Sequence, residues 1–253
     1  DRAEQRYQVT LPHDAMLTEE RVFGSKGGKN TGWYEGGDYI YEKEFVVPEI
    51  YEGQTVTLEF EGVYHNADIF LNGRQAGSFG YGYNGFLVCA DSLLGEGKNH
   101  LMVIAHNSDQ PNSRWYTGTG IYRPVTLHIL PEKHFVMESI RITTVDWKSR
   151  KIRINAELSC PGEAEFRIMD GEACLADGRT GGSHQITLDL QAAGAELWSC
   201  ENPRMYMLEA IFGEDVQKIP FGIRTVTVNS REGFCVNGER VILRGACIHH
   251  DNG

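Results

Sequence analysis

Residues 54–61 read Gln-Thr-Val-Thr-Leu-Glu-Phe-Glu, a segment in which apolar and polar side chains alternate strictly. Val56, Leu58 and Phe60 fall on one face, while threonine and glutamate side chains fall on the other. Because successive side chains of a β-strand point to opposite faces, this pattern predicts a strand with one buried side. Strand-like segments recur along nearly the whole chain, so the sequence predicts an all-β protein.

The first 132 residues carry further strands separated by long loops. The strands predicted there, beyond the opening segment, are Ala67–Leu71, Leu101–Ala105 and Val125–Ile129. Asn72-Gly73 is the dipeptide that best tolerates the positive φ angles of a type I′ hairpin turn. The only helix candidate is a turn at Asp91–Leu94, and the glycine-rich stretches 24–37 and 77–85 are predicted to be loops. This combination favours a jelly-roll (galactose-binding-like) sandwich over residues 1–132.

The strand pattern pauses around Leu130-Pro131-Glu132-Lys133 and restarts beyond it, with shorter loops between the strands. The strands predicted in this part are Ser139–Val145, Lys151–Leu158, Ala164–Met169, Gln185–Leu190, Tyr206–Phe212 and Gly222–Val228. About six or seven short strands in so few residues are typical of an immunoglobulin-like sandwich. We therefore expect residues 133–228 to form a second domain of that kind.

The final segment, residues 229–253, reads as a hairpin that leads into polar residues. Phe234–Val236 and Arg240–Leu243 are its predicted strands, joined by Asn237-Gly238, and His249-His250-Asp251 follows. In a (β/α)₈ barrel, functional residues collect at the carboxyl ends of strands. The segment is therefore expected to be the start of a catalytic barrel whose remainder lies outside this sequence.

Composition narrows the choice of partners. Lys and Arg number 24 against 35 Asp and Glu, which gives a formal net charge of −11. An acidic surface repels nucleic acid and anionic lipid, so neither is expected as a partner. No apolar run reaches the roughly 18 residues of a membrane-spanning helix. The six cysteines include no C-x-x-C pair, so we expect most to be reduced core residues. A cytoplasmic location is then favoured, with a periplasmic or secreted one left open.

Two short motifs admit a structural explanation. Leu11-Pro12-His13-Asp14 is predicted to be a turn in which Asp14 caps the backbone behind it. Gly32-Trp33-Tyr34 begins an aromatic loop. Its rings could stack on a sugar or fill core space, and the sequence leaves these alternatives open.

Residues 114–123, Arg-Trp-Tyr-Thr-Gly-Thr-Gly-Ile-Tyr-Arg, form a more specific motif. Arginine offers forked donors to hydroxyl or carboxylate oxygens, and aromatic rings can face a ligand. Arg114, Trp115 and Tyr116 are therefore candidate substrate-binding residues, whereas Ile121–Arg123 is interpreted as a structural corner. His249 is a further candidate because of its place after a strand. A metal site at the histidine pair lacks a third ligand, so none is predicted.

Several segments, taken in order, resemble the N-terminal part of glycoside hydrolase family 2, the family of β-galactosidases, β-glucuronidases and β-mannosidases. They are Leu11–Asp14, Glu61-Gly62-Val63, Leu71-Asn72-Gly73, Arg114–Arg123, Leu197-Trp198-Ser199, Asn202-Pro203, Phe221–Arg224, Asn237-Gly238, Leu243-Arg244-Gly245 and His249–Asp251. The resemblance implies a jelly-roll domain, an immunoglobulin-like domain and a catalytic barrel, in that order along the chain. It also implies a retaining glycosidase, with two glutamates about 5 Å apart on later barrel strands.

The resemblance further implies which residues matter. It places no catalytic residue in this chain, and it gives His249 a role in contacting sugar hydroxyls. Arg114 stands where some β-glucuronidases have Asp, Pro124 where some β-galactosidases have Asp, and Cys247 where many relatives have Asn. A β-galactosidase is expected on family frequency, with a β-glucuronidase or β-mannosidase as alternatives.

A different class of function stays open, a non-catalytic carbohydrate-binding or scaffold module. In either case the expected partner is a β-glycoside or oligosaccharide, and the fragment alone should be inactive because both catalytic carboxylates are missing. No cofactor is expected, apart from Mg²⁺ or Na⁺ in a full-length enzyme. A homo-oligomer is left open. Residues 230–253 are expected to fold back on the sandwich or to pair between molecules.

Overall fold

A computed structural model of the chain describes residues 6–49 and 53–248. These residues form seventeen β-strands and three short 3₁₀ helices, which confirms the predicted all-β class. They divide into two compact units: the first comprises the residues up to Ile129 together with Cys247 and Ile248, and the second spans Leu130–Ala246.

The first unit is a sandwich of two antiparallel sheets. Its strands are β1 (Asp38–Val46), β2 (Thr55–Phe60), β3 (Ala67–Leu71), β4 (Arg74–Phe79), β5 (Phe86–Cys89), β6 (Lys98–His106) and β7 (Val125–Leu130). One sheet has the order β1-β6-β3-β4 and the other β5-β2-β7. Val56, Leu58 and Phe60 of β2 are buried, as the alternation predicts, and they pack against buried residues of β3 and β6. Each such side chain contributes about 1.5–3 kcal/mol by leaving water.

The Asn72-Gly73 turn is confirmed. Both residues have positive φ, 52° and 77°, and the turn joins β3 to β4 with Leu71 opposite Arg74. The loop predicted over residues 77–85 is wrong at its start, because Gly77–Phe79 belongs to β4. β4 consists mostly of small and polar residues, so its sequence shows no alternation of apolar and polar side chains. It forms a strand because it pairs with β3.

The described part of the first unit contains three 3₁₀ helices, at Ala15–Thr18, Gly28–Thr31 and Asp91–Leu93. The third confirms the turn predicted at Asp91–Leu94. The other two were not predicted, and Gly28–Thr31 lies inside a stretch predicted to be loop. A single turn carries too few residues for a helical period to appear in the sequence.

The second unit is also a two-sheet sandwich. Its strands are β8 (Arg141–Asp146), β9 (Lys151–Glu157), β10 (Gly162–Asp170), β11 (Ala173–Gly182), β12 (Gln185–Gln191), β13 (Tyr206–Phe212) and β14 (Asp215–Phe221). The sheets have the orders β12-β9-β8 and β11-β10-β13-β14. Phe135, Phe166 and Phe212 are fully buried between them and form the centre of the core.

A three-stranded sheet ends the second unit. Its strands are β15 (Val226–Asn229), β16 (Gly233–Val236) and β17 (Glu239–Arg240), so the predicted hairpin exists. Its second strand is shorter than predicted, since β17 stops at Arg240. Val241 still donates its amide to Phe234 O at 2.9 Å, but Ile242 and Leu243 are exposed. Ile242 and Leu243 have the composition of a strand but pair with no strand among the residues described.

The cysteines do not sit where the sequence analysis placed them. All six are free thiols, but only Cys235 is buried. Cys89, Cys174, Cys200 and Cys247 are exposed. The expectation that most are core residues is wrong, because these four lie at positions that face solvent.

Candidate functional site

Two distant segments of the first unit meet at the loop end of its sandwich. His13 donates its backbone amide to Ile121 O at 2.8 Å, and Ala15 does the same to Thr119 O at 2.8 Å. The Leu-Pro-His-Asp segment therefore lies alongside the glycine-rich part of the 114–123 motif. The predicted turn exists, and its role is to hold the other motif.

Asp14 is the centre of this junction. Its Oδ1 accepts hydrogen bonds from the amides of Met16 and Thr119, both at 3.0 Å. Its Oδ2 accepts the hydroxyl of Tyr116 at 2.6 Å. Burial, strengthened by the hydrogen bond and charge of Asp14, raises the pKa of the Tyr116 hydroxyl far above its ordinary value. The hydroxyl therefore stays protonated and serves as a fixed donor.

The two glycines of the motif are required by close contacts. Gly118 has a φ of +69°, and a Cβ atom there would lie 2.6 Å from Asp14 Oδ2. Gly120 has a φ of +116°, and its Cβ would lie 2.0 Å from the hydroxyl of Tyr41. Only glycine combines these φ values with so little space. This part of the motif is explained by packing.

A buried amide network supports the neighbouring loop. Asn107 is fully buried, and its Nδ2 donates to Thr119 Oγ1 at 2.5 Å and to Gly118 O at 3.2 Å. Its Oδ1 accepts from Gln110 Nε2 at 2.8 Å and from Asn112 Nδ2 at 2.6 Å. The loops on both sides of residue 114 are thus fixed to the sandwich by buried hydrogen bonds, which are costly to break.

Tyr81, Tyr83 and Trp115 form a contiguous group of exposed rings, here called the aromatic strip. Their relative exposures are 63%, 41% and 38%. Trp115 Nε1 donates to the hydroxyl of Tyr83 at 3.0 Å, and Tyr81 meets Tyr83 edge to face with ring centroids 5.7 Å apart. Tyr83 also packs on the buried ring of Tyr64 at 5.3 Å. The strip is therefore exposed to solvent, while its central ring, Tyr83, packs against the buried Tyr64.

The predicted site residues fall in different environments. Arg114 and Trp115 are exposed, whereas Tyr116 is half-buried and bound to Asp14. Their role in substrate binding stays a prediction, and His249 lies outside the described residues. Sequence reasoning missed Tyr81 and Tyr83, although the aromatic content of Gly80-Tyr-Gly-Tyr-Asn-Gly85 could have indicated them.

The remaining aromatic motifs are structural. Ile121 is buried, and Tyr122 donates its hydroxyl to Gly82 O at 2.7 Å, as expected for a corner. Tyr34 is also buried and packs near Tyr116, with centroids 5.9 Å apart. For Tyr34, the alternative of filling core space is thus the one that the structure supports.

A histidine on the outer face of the first sheet lies between two carboxylates. His106 Nδ1 is 3.1 Å from Asp38 Oδ2, and its Nε2 is 3.0 Å from Asp68 Oδ2. These contacts, chiefly the hydrogen bond with Asp38, raise the pKa of His106. Burial alone would raise the pKa of Asp38, but hydrogen bonds from His106 and Ser108 outweigh it and lower that pKa.

The described residues contain neither a cluster of metal-binding side chains nor a helix that could span a membrane. Within ranges 6–49 and 53–248, no three His, Cys, Asp or Glu side chains are grouped so that they could hold a metal ion. No helix in those ranges has the length and apolar character needed to cross a membrane.

Comparison with known proteins places this architecture in a family. A family model described as "Glycosyl hydrolase 2 galactose-binding domain-like" matches residues 11–147, more than half of the chain. The β-galactosidase BoGH2A of Bacteroides ovatus is 31% identical over 97% of the chain and 31% of its own length. A β-glucuronidase of Bacteroides fragilis is 28% identical over 86% of the chain and 36% of its own length.

A solved structure agrees with these sequence relatives. A glycosyl hydrolase family 2 member from Bacteroides cellulosilyticus superposes with a TM-score of 0.88 at 28% identity, covering 98% of this chain and 35% of that one. The chain spans between 22% and 41% of the length of the curated relatives it matches. The match over residues 11–147 shows that this chain belongs to glycosyl hydrolase family 2.

Proposed function

We propose that this chain is the N-terminal, non-catalytic part of a retaining β-glycosidase and that the loop end of its first unit contacts the substrate. Relatives named β-galactosidase and β-glucuronidase support the reaction class. The observation that carries the substrate role is the exposure of Arg114 and Trp115 on a segment anchored by Asp14 and Asn107. Anchoring an exposed arginine and indole so firmly suits the fixed contacts that a sugar requires.

Hydrolysis itself is assigned to residues outside this chain. A retaining mechanism needs an acid/base and a nucleophile about 5 Å apart, and the resemblance places both glutamates on later barrel strands. We therefore give no carboxylate of this chain a catalytic role. Purified residues 1–253 should bind substrate weakly and hydrolyse none.

Two sugars remain candidates at the cleaved position. A β-galactoside is the first, on family frequency and on the relatives that carry that name. A β-glucuronide is the second, and Arg114 is the observation in its favour. The side chain is exposed, and no residue in the described ranges forms an ion pair with it. A guanidinium in that state can bind a sugar carboxylate through two parallel hydrogen bonds.

The deciding experiment uses the full-length protein and its Arg114→Ala and Arg114→Lys variants. Nitrophenyl β-galactoside, β-glucuronide and β-mannoside are assayed in parallel. If a glucuronide is the substrate, Arg114→Ala should lower kcat/KM by about 10- to 100-fold, since a charge-assisted pair is lost. Lysine should recover only part of it, because it cannot form the bidentate pair.

The control is Arg231→Ala, which removes another exposed arginine in the second unit and should leave kcat/KM unchanged. Galactoside turnover that Arg114→Ala changes by less than about threefold would favour a galactosidase and remove Arg114 from sugar-carboxylate binding. Absence of turnover on all β-glycosides by the full-length protein would refute the proposed function. Turnover by residues 1–253 alone would refute the division of roles.

A further inference from the structure

We propose that the aromatic strip of Tyr81, Tyr83 and Trp115 is a stacking site for a sugar ring of an oligosaccharide, beyond the residue whose bond is cleaved. The inference rests on the proposed function for the position of the cleaved residue. It adds a substrate class, because it implies a preference for oligosaccharides over simple monosaccharide glycosides.

Exposure is the first observation. Tyr81, Tyr83 and Trp115 are joined through Tyr83 and all three are exposed, so their rings present one surface to water. Contiguous exposed apolar patches on a soluble protein mark binding surfaces. Packing within the unit does not explain Tyr81, since Tyr83 is the ring it meets and 63% of its surface stays exposed.

Rigidity is the second observation. The hydroxyl of Tyr83 holds the indole of Trp115, and the ring of Tyr83 rests on buried Tyr64. Tyr64 in turn donates its hydroxyl to Asn112 Oδ1 at 3.2 Å, on the loop fixed by Asn107. Rings held in place before binding lose little conformational freedom when a ligand arrives. Tyr83 and Trp115 are thus held in place before binding, and Tyr81 lies edge to face against Tyr83.

The chemistry of the strip selects the ligand. A sugar ring presents an apolar face of C–H groups and a polar rim, and tyrosine and tryptophan are amphipathic in the same way. Phe23 is a different case: it is 92% exposed and stacks on half-buried Trp33 at 5.0 Å, but the side chain of Phe23 has no polar group. The strip suits a carbohydrate, and Phe23 supplies a comparison site.

The length of the strip argues for more than one sugar residue. Arg114 and Trp115 are adjacent in the chain, Trp115 contacts Tyr83, and Tyr83 contacts Tyr81, so Tyr81 is joined to the Arg114 segment through two successive side-chain contacts. One pyranose ring covers about the area of one aromatic ring. If the cleaved residue lies at Arg114, the ring of Tyr81 is left for a sugar further along the oligosaccharide.

The test compares Tyr81→Ala with Tyr81→Phe and Phe23→Ala in the full-length protein. The readout is the ratio of kcat/KM for a trisaccharide to kcat/KM for the nitrophenyl glycoside of the same sugar, using β-1,4-galactotriose or its glucuronic acid counterpart. Tyr81→Ala should lower this ratio about 5- to 20-fold, because one stacking contact is lost. Tyr81→Phe keeps the ring and should stay within about twofold, as should Phe23→Ala.

A binding experiment on residues 1–253 makes the inference independent of turnover. The same trisaccharides are titrated while tryptophan emission is followed, and Tyr81→Ala should raise the apparent Kd at least about fivefold. An equal ratio and an equal Kd in Tyr81→Ala and wild type would overturn the stacking site. A full-length protein that hydrolyses no β-glycoside would refute the proposed function, and the titration would still decide the stacking site. Equal losses in Tyr81→Ala and Phe23→Ala would also overturn it, since the effect would then be general.

Discussion

Replacing Asp14 should show that the two motifs of the first unit depend on each other. The informative pair of variants is Asp14→Ala and Asp14→Asn. Alanine removes all three hydrogen bonds that the carboxylate accepts from Met16, Tyr116 and Thr119. Asparagine keeps one oxygen, which can serve both backbone amides since they share Oδ1. Its amide group can then donate to the oxygen of Tyr116.

The expected magnitudes differ accordingly. Hydrogen bonds to a charged group contribute about 1.5–3 kcal/mol each, and a buried amide left without an acceptor costs about 1–3 kcal/mol. Thr119 is buried, so its amide cannot turn to water. Allowing for solvent at the partly exposed carboxylate, we expect Asp14→Ala to lower the free energy of unfolding by about 3–4 kcal/mol. Asp14→Asn should lower it by about 1 kcal/mol.

Urea unfolding of residues 1–253 measures these differences, and hydrogen exchange assigns them to a unit. With a slope of about 2 kcal/mol per molar urea, Asp14→Ala should lower the midpoint by about 1.5–2 M. Faster exchange should be confined to the first unit. Asp109→Ala is the matched control, because it removes an exposed aspartate from the loop that follows Asn107 in the same unit. Equal effects of the two Asp14 variants, or a loss below about 1 kcal/mol in Asp14→Ala, would refute the reasoning.

Two further predictions concern the same unit. His106 has a raised pKa beside Asp38 and Asp68, so its stabilising contribution is present below its ordinary pKa and is lost as pH rises through the raised value. The difference in unfolding free energy between wild type and His106→Gln should therefore shrink as pH rises from about 6 to 8, by less than about 1 kcal/mol because the imidazole is partly exposed to solvent. Urea unfolding at several pH values measures it, and a difference that stays constant with pH would contradict the prediction. Gly120→Ala should prevent folding or lower Tm by more than about 10 °C, because its Cβ would overlap Tyr41. Gly97 also has a positive φ but has open space around it, so Gly97→Ala should lower the free energy of unfolding by only about 1 kcal/mol. Similar Tm values for the two variants would show that the structure adjusts easily to a side chain at residue 120.

The strands that the sequence predicts are those whose own residues carry the pattern. β2 and β13 alternate large apolar with polar residues, and both were located within a residue or two. β1, β4, β5, β11 and β14 were not predicted. β11 is rich in glycine and small residues and becomes a strand through pairing with β10. β14 contains Pro220, which has no backbone N–H group to donate. An edge strand tolerates proline because no further strand lies on its outer side to receive that hydrogen bond.

The site was harder to predict for a related reason. Asp14 and Tyr116 are 102 residues apart, and nothing in their local sequence states that one accepts the hydroxyl of the other. Tyr81 and Tyr83 lie in a glycine-rich loop without a period that would fix their direction. Their exposure depends on Tyr64 and Trp115, which reach them from other segments. Such information exists only once the chain has folded.

Packing explains most residues of the 114–123 motif, but it does not explain Arg114. Gly118 and Gly120 are required by the close approach of side chains, and Thr119 is tied to Asn107 and Asp14. Ile121–Arg123 forms the corner, and Tyr116 is bound to the carboxylate. Arg114 is different: its side chain reaches solvent from a rigid base, and no described residue forms an ion pair with it. A residue that the fold holds firmly without needing it for stability is the one where binding is the better explanation.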